Sequence, residues 1–229
     1  MLVYSCAELF QQHDRKGGIR GMKEPLPLDF NHYSTLHGDG KRLIHGWLNR
    51  AWRSWGNRSE EPFEPFIFFW FAFNSWAACV TDTDKDADIM DALAADRELN
   101  ETFEALTKEQ ESDVAVNAKM IFDLLPIFDA KTLNRRKILL FDSQWSRAER
   151  VAHYFRHGAD AFEPKCWRRH SDSGESVPMD WAHILKAIYK VRCNLFHGQK
   201  MAHSEMNRRI VAAAFLTLAN FIKEAGYIR

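Results

Sequence analysis

Residues 65–80, PFIFFWFAFNSWAACV, decide what kind of molecule this chain makes. The run is apolar and dense in aromatic rings, and it is shorter than the roughly 20 residues a helix needs to cross a bilayer. Asn74 and Ser75 interrupt it. Just upstream, EPFEP puts Glu61 and Glu64 among prolines, a combination suited to a helix N-terminus, where anionic side chains meet the positive end of the helix dipole. The expectation is a helix buried at the centre of a bundle rather than a membrane span.

Helical periodicity extends outward from that run. In KRLIHGWLNRAWRSW, 41–55, the pairs Leu43/Ile44, Trp47/Leu48 and Ala51/Trp52 and then Trp55 share a face, with Arg42, Asn49, Arg50 and Arg53 behind them. Residues 84–96 and 98–125 have helix-forming composition with apolar positions at Ile89, Leu93, Phe103, Leu106, Val114, Ile121 and Leu125, and Pro126 ends the stretch. Two strong patterns close the chain. The first, 180–197, carries Trp181, Ile184, Leu185, Ile188, Val191 and Leu195, with Gly198 placed as a left-handed cap. The second follows Ser204, a suitable N-cap, with Ile210, Ala213, Ala214, Leu216, Phe221 and Ile222. These patterns predict an all-α fold, an antiparallel helical bundle over 37–229. An N-terminal arm over 1–36, marked by Gly17, Gly18, Gly21, Pro25 and Pro27, precedes it, and an irregular insertion over about 126–178 interrupts it.

The chain holds 31 basic and 31 acidic residues, but they are segregated. Between 81 and 129 there are 14 acidic residues against 4 basic, and from 130 onward 18 basic against 9 acidic. The basic half can attract a polyanion, or it can dock on the acidic segment of its own or another subunit, with self-docking the preferred expectation. Four cysteines, Cys6, Cys79, Cys166 and Cys193, lie far apart with no CxxC pair, which points to reduced thiols and a cytoplasmic protein. The start, MLVYSCAELFQQHD, has no charged region followed by an apolar one, so a secretory leader is not expected.

The chemistry-bearing segment is YKVRCNLFHGQK, 189–200, which brings Arg192, Asn194 and His197 to the end of an amphipathic helix. At about 100° per residue Asn194 and His197 share a face, whereas Arg192 stands about 140° from His197. On those residues alone two readings stay open: an Arg paired with a neighbouring carboxylate and a His closing the helix C-terminus, or a small catalytic set. Asn194 divides in the same way, between orienting His197 or a phosphate oxygen and capping the helix end.

The phrase VRCNLFHG, 191–198, contains an R-x4-H motif and is similar to that of the HEPN superfamily, in particular its Apea-like branch. FFWFAFNSW, 68–76, resembles the aromatic first helix of that branch, so the likeness runs from about residue 60 to 225. It implies a helical bundle that dimerises with two R-x4-H helices across a cleft. Many such proteins are metal-independent endoribonucleases of toxin, phage-defence or RNA-processing systems, some with an antitoxin or other partner protein, and others bind RNA, nucleotides or proteins without cutting. It further implies catalytic roles for Arg192 and His197 and a supporting position for Asn74 beside the cleft. Cys193 stands where a polar residue is usual, which favours the non-catalytic alternative.

RNA cleavage without metal needs a base for the 2′-OH, an acid for the leaving 5′ oxygen and positive charge for the phosphorane. Histidine suits both proton transfers near neutral pH. The planar guanidinium of Arg192 suits the non-bridging oxygens. Lys190, Lys200, Arg168 and Arg169 are candidates for following an RNA backbone, and KCWRRH, 165–170, and NRAWRSW, 49–55, interleave cations with rings that could stack on bases, although solvated helix faces with inward Trp explain the same letters. Asn74, inside an apolar helix, must find hydrogen bonds if it is a core amide. His153, His157, Cys166 and His170 could supply zinc donors, but their spacing matches no common finger and no metal is expected. DTDKDAD, 82–88, lacks the Gly and Glu of an EF-hand loop, and GGIRG lacks the GK[ST] of a P-loop. No cofactor is expected.

Overall fold

A computed structural model of the chain describes residues 28–57, 61–138, 145–196 and 205–229. It is all-α but for one short ribbon. The helices are α1 (Phe30–Thr35), α2 (Gly38–Asn57), α3 (Phe63–Thr81), α4 (Asp86–Ala95), α5 (Arg97–Lys108), α6 (Asp113–Phe122), α7 (Ala130–Arg135), α8 (Arg147–Arg156), α9 (Trp167–Ser173), α10 (Trp181–Phe196) and α11 (Glu205–Ala225). Strands β1 (Ile127–Phe128) and β2 (Phe162–Glu163) pair antiparallel, with Phe128 opposite Phe162.

The 65–80 run forms most of α3. This helix is long and apolar enough to cross a membrane, yet Phe66, Phe69, Trp70, Phe73 and Trp76 are all at most 1% exposed inside the protein. It packs against α1, α2, α4 and α11, and α10 packs against α4, α5 and α6. Trp181 at the start of α10 is fully buried, with Nε1 donating to the Leu93 carbonyl at 2.8 Å and the ring 4.4 Å from Phe221. Burial of such a ring removes some 150–250 Å² from water, which makes these aromatics the main source of cohesion.

Three expectations are corrected. The 98–125 stretch is two helices, α5 and α6, because Ser112 accepts the Ala115 N–H and donates to the Leu106 carbonyl, capping α6 and closing the turn. Leu43, placed on the apolar face of α2, is 57% exposed, while Ile44 and Ala51 carry the burial. The end of the expected arm is docked: Phe30 stacks on Trp76 and Tyr227, and the hydroxyl of buried Tyr33 donates to the Arg229 carbonyl at 3.3 Å. Residues 1–27, the rest of that arm, lie outside the described residues.

The insertion has a core of its own. Phe128, Leu133, Ile138, Ala159 and Phe162 cluster together, covered by Val151, Tyr154, Phe155 and Trp167. Helix α8 begins with a capping box in which Ser146 and Glu149 satisfy each other's backbone N–H.

The segregated charges meet within one chain. Asp86 pairs with Arg192 at 3.0 Å, Asp91 with Lys186 at 3.3 Å and Asp129 with Lys190 at 3.0 Å, each joining the acidic segment to α10. Self-docking is thus what the fold does with them.

Candidate functional site

Arg192 lies one turn before the end of α10 with its side chain 21% exposed. Its guanidinium carbon stands 4.7 Å from the Phe196 ring centre, 5.4 Å from that of Trp70 and 5.8 Å from that of Tyr189. Trp70 comes from α3 and stacks on Tyr189 from α10, so the aromatic run and the motif helix jointly build the surroundings of this cation. Cation–ring attraction of this kind contributes about 0.5–2 kcal/mol, more as the site is desolvated. One guanidinium nitrogen binds Asp86, and Nε is buried with no hydrogen bond among the described residues. Phe196 is 42% exposed and meets Phe71, 36% exposed, edge-on at 6.3 Å. The result is a fixed, half-buried cation beside an open aromatic patch.

Tyr189 and Cys193 lie one turn apart on this helix. Burial pushes the Tyr189 phenol up to about 12, with Cys193 and Asp86 adding to the rise, so it remains a neutral hydroxyl. Asn74 stands one helical turn beyond Trp70 on α3. Its Oδ1 is buried and accepts no hydrogen bond from the described residues, so these do not make it the satisfied core amide one would otherwise expect. An orphaned carbonyl of this kind costs about 1–3 kcal/mol.

Asn194 and Lys190 are placed elsewhere than the sequence reading put them. Asn194 is 3% exposed, its Nδ2 donating to the Phe128 carbonyl at 2.8 Å and its Oδ1 accepting from the Ala130 N–H at 2.9 Å. Both halves of the amide are spent on tying the insertion to α10, which removes Asn194 from the catalytic set and from the helix cap. Lys190, 19% exposed, is held by Asp129 and is not free to follow a phosphate backbone. Arg168 lies over the Phe155 ring at 5.3 Å and lines a cleft of about 680 Å³ with Arg147, Phe155 and Trp167, a cleft to which Arg192 does not contribute, and Arg169 beside it is exposed. His197, Lys200, Gly198 and Ser204 lie outside the described residues.

The histidines considered for zinc also separate. His153 and His157 meet with their rings tilted and their centres 4.2 Å apart, while Cys166 bonds His183. His170 Nδ1 faces Glu175 at 3.5 Å. Among the described residues no group of three or more His, Cys, Asp or Glu is placed to hold a metal. The acidic 82–88 segment instead starts α4, where Asp86 meets Arg192.

A further constellation escaped sequence reading. Asp180 caps α10 by accepting the His183 N–H, and the same oxygen lies 2.6 Å from His183 Nδ1, while Cys166 Sγ lies 3.1 Å from Nε2. The Asp-x-x-His spacing was legible as a cap, but the thiol arrives from across the 171–178 loop.

Asp129 gives the insertion a pH dependence. Burial raises its carboxyl pKa, but the Thr132 N–H, the Lys190 ammonium and the Thr132 hydroxyl outweigh burial and leave it below the usual carboxylate range. Its ionised form therefore contributes stability above the ordinary range near pH 4, and the contribution is lost as pH falls through the lowered value. Asp129→Asn is expected to cost about 1 kcal/mol at neutral pH, as befits a partly screened pair. Urea melts of the two proteins should converge as pH falls through the lowered value, below which both leave Lys190 without an anionic partner.

Comparisons of the chain with family models, curated proteins and solved structures return no match.

Proposed function

We propose that the protein is a metal-independent endoribonuclease of HEPN type, working in the cytoplasm as a homodimer on single-stranded or loop RNA. The observation that supports this reading most is the Arg192 guanidinium, fixed over three rings at the end of α10 and opening beside exposed Phe196. His197 follows Phe196 directly in the chain. In the proposed reaction, His197 of one subunit takes the 2′-OH proton as that oxygen attacks phosphorus. Arg192 displaces from Asp86 toward the non-bridging oxygens, and the second copy of His197 protonates the departing 5′ oxygen. Phe71 and Phe196 supply rings on which a base can stack or a second subunit can seat. A toxin or phage-defence role, with a neutralising partner protein, belongs to the same proposal.

A second reading has a specific observation behind it. Asp86 neutralises Arg192, Asn194 is committed to the backbone, and Cys193 replaces the usual polar residue, which suits a non-catalytic module that binds RNA, a nucleotide or a protein. The test uses purified protein and a labelled single-stranded RNA pool with EDTA present. Cleavage leaving 2′,3′-cyclic phosphate ends, abolished in His197→Ala, supports the nuclease. Retention of RNA without cleavage supports the binding module, and RNA that is neither bound nor cut overturns the nuclease and leaves the module only a nucleotide or a protein as ligand.

A further inference from the structure

Cys166, His183 and Asp180 stand in a line: Sγ to Nε2 at 3.1 Å, then Nδ1 to Oδ1 at 2.6 Å. His183 is 3% exposed, so its ring is held by packing, and Asp180 fixes which nitrogen faces the thiol. Cys166 is partly exposed, so a small molecule can reach it. The three side chains come from either side of the 171–178 loop, and the cap of α10 and the start of α9 set their relative positions.

We propose that Cys166, His183 and Asp180 form a nucleophilic thiol site that takes low-molecular-weight disulfides and carries Cys166 into a mixed disulfide. In this exchange the Cys166 thiol gives up its proton to water as the sulfur attacks, and His183, held in its charged form by Asp180, donates its Nε2–H toward that sulfur. The sulfur attacks one sulfur of the incoming disulfide, a new S–S bond forms and the old one breaks. The departing thiolate takes a proton from His183 or from water. No net oxidant is needed beyond the disulfide itself. Exchange asks only for a thiolate and an acid for the leaving sulfur, which these residues supply; acyl transfer would also ask for donors aimed at a carbonyl oxygen.

The charge state of His183 supports the site. Burial lowers its pKa, but the hydrogen bonds to Asp180 and Cys166 and the charges of both raise it, to about 10. The charged form is thus the stable one at neutral pH, and Asp180 and Cys166 are the groups that set it. His170 stands one turn along α9 from Cys166, with Glu175 at 3.5 Å, and Lys165 beside the thiol is drawn toward Glu163 at 3.8 Å.

The experiment exposes the full-length protein to brief pulses of glutathione disulfide and maps each cysteine by mass spectrometry. Cys166 is expected to gain the glutathionyl group about tenfold faster than Cys79 and Cys193 at neutral pH, because its sulfur faces a buried imidazole held by a carboxylate. Asp180→Asn keeps an N-cap acceptor for the His183 N–H and so preserves the fold, which a thermal melt checks. It is expected to slow Cys166 by about tenfold and to bring it to the rate of Cys79 and Cys193. Free cystine in place of glutathione disulfide should react at the same cysteine if the site selects the disulfide rather than the peptide around it. The proposal is overturned if Cys79 or Cys193 reacts as fast as wild-type Cys166, or if folded Asp180→Asn reacts like wild type.

Discussion

Arg192→Ala is expected to lower RNA cleavage by about 10² to 10³, the usual loss when one fixed donor to a transition-state oxyanion is removed. Arg192→Lys should not restore it, because an ammonium lacks the planar fork and the stacking that place the guanidinium over Phe196, Trp70 and Tyr189. Asp86→Asn acts in the opposite direction. It removes the competing carboxylate at 3.0 Å while leaving the three rings that hold Arg192 in place. The freed cation should tighten RNA binding and steepen its dependence on salt by about one phosphate contact. A catalytic site and a binding module then separate cleanly: both gain affinity on Asp86→Asn, but only the former cuts, and only the former loses cutting with Arg192→Ala. Equal cleavage by wild type and Arg192→Ala, with both melting at similar temperatures, would remove the nuclease reading. A fall in RNA affinity on Asp86→Asn would show that Arg192 does not reach phosphate.

Much of the bundle was legible because its signals are local. The unbroken apolar content of α3 and the 3.6-residue patterns of α10 and α11 are stated within single segments, and burial follows them closely. What escaped depends on partners far along the chain. Tyr33 donates to a carbonyl 196 positions away, and no periodicity in 1–36 could announce that contact. The charge segregation left a polyanion and a docked acidic segment both open, with docking preferred, and only the fold pairs Asp86 with Arg192 rather than another carboxylate.

The site divides along the same line. Arg192 stood out through the resemblance that VRCNLFHG carries, its spacing alone leaving two readings open, whereas its ring cage needed Trp70, delivered by a different helix. Asn194 looked chemical because it is polar on an apolar helix. It is there because the turn at 128–130 has a carbonyl and an N–H that must be paired, a demand invisible until the insertion is placed. The Cys166–His183 contact was missed for a similar reason: each residue had a plausible local explanation, and the loop joining them has no pattern that fixes its path.

Trp181→Ala is expected to be the most destabilising single change in the described core, at about 3–5 kcal/mol. The ring is fully buried between Phe103 and Phe221, and its deletion leaves a void at the junction of α4, α5, α10 and α11. It also removes the only indole donor to the Leu93 carbonyl, which sits in the last turn of α4, where helix carbonyls lack an internal partner. For a chain of this size the loss corresponds to a fall in Tm of about 10 °C or more. Trp181→Phe keeps most of the aromatic packing and loses the hydrogen bond, so it should cost about 1–2 kcal/mol, and the difference between the two variants isolates the cavity. Leu43→Ala is the matched control, since a side chain 57% exposed should change stability by no more than about 0.5 kcal/mol. Chemical denaturation of the three variants checks the ranking. If Trp181→Ala costs no more than Leu43→Ala, then Trp181 does not bind α10 to the rest of the bundle, and the position of the Arg192 helix loses its anchor.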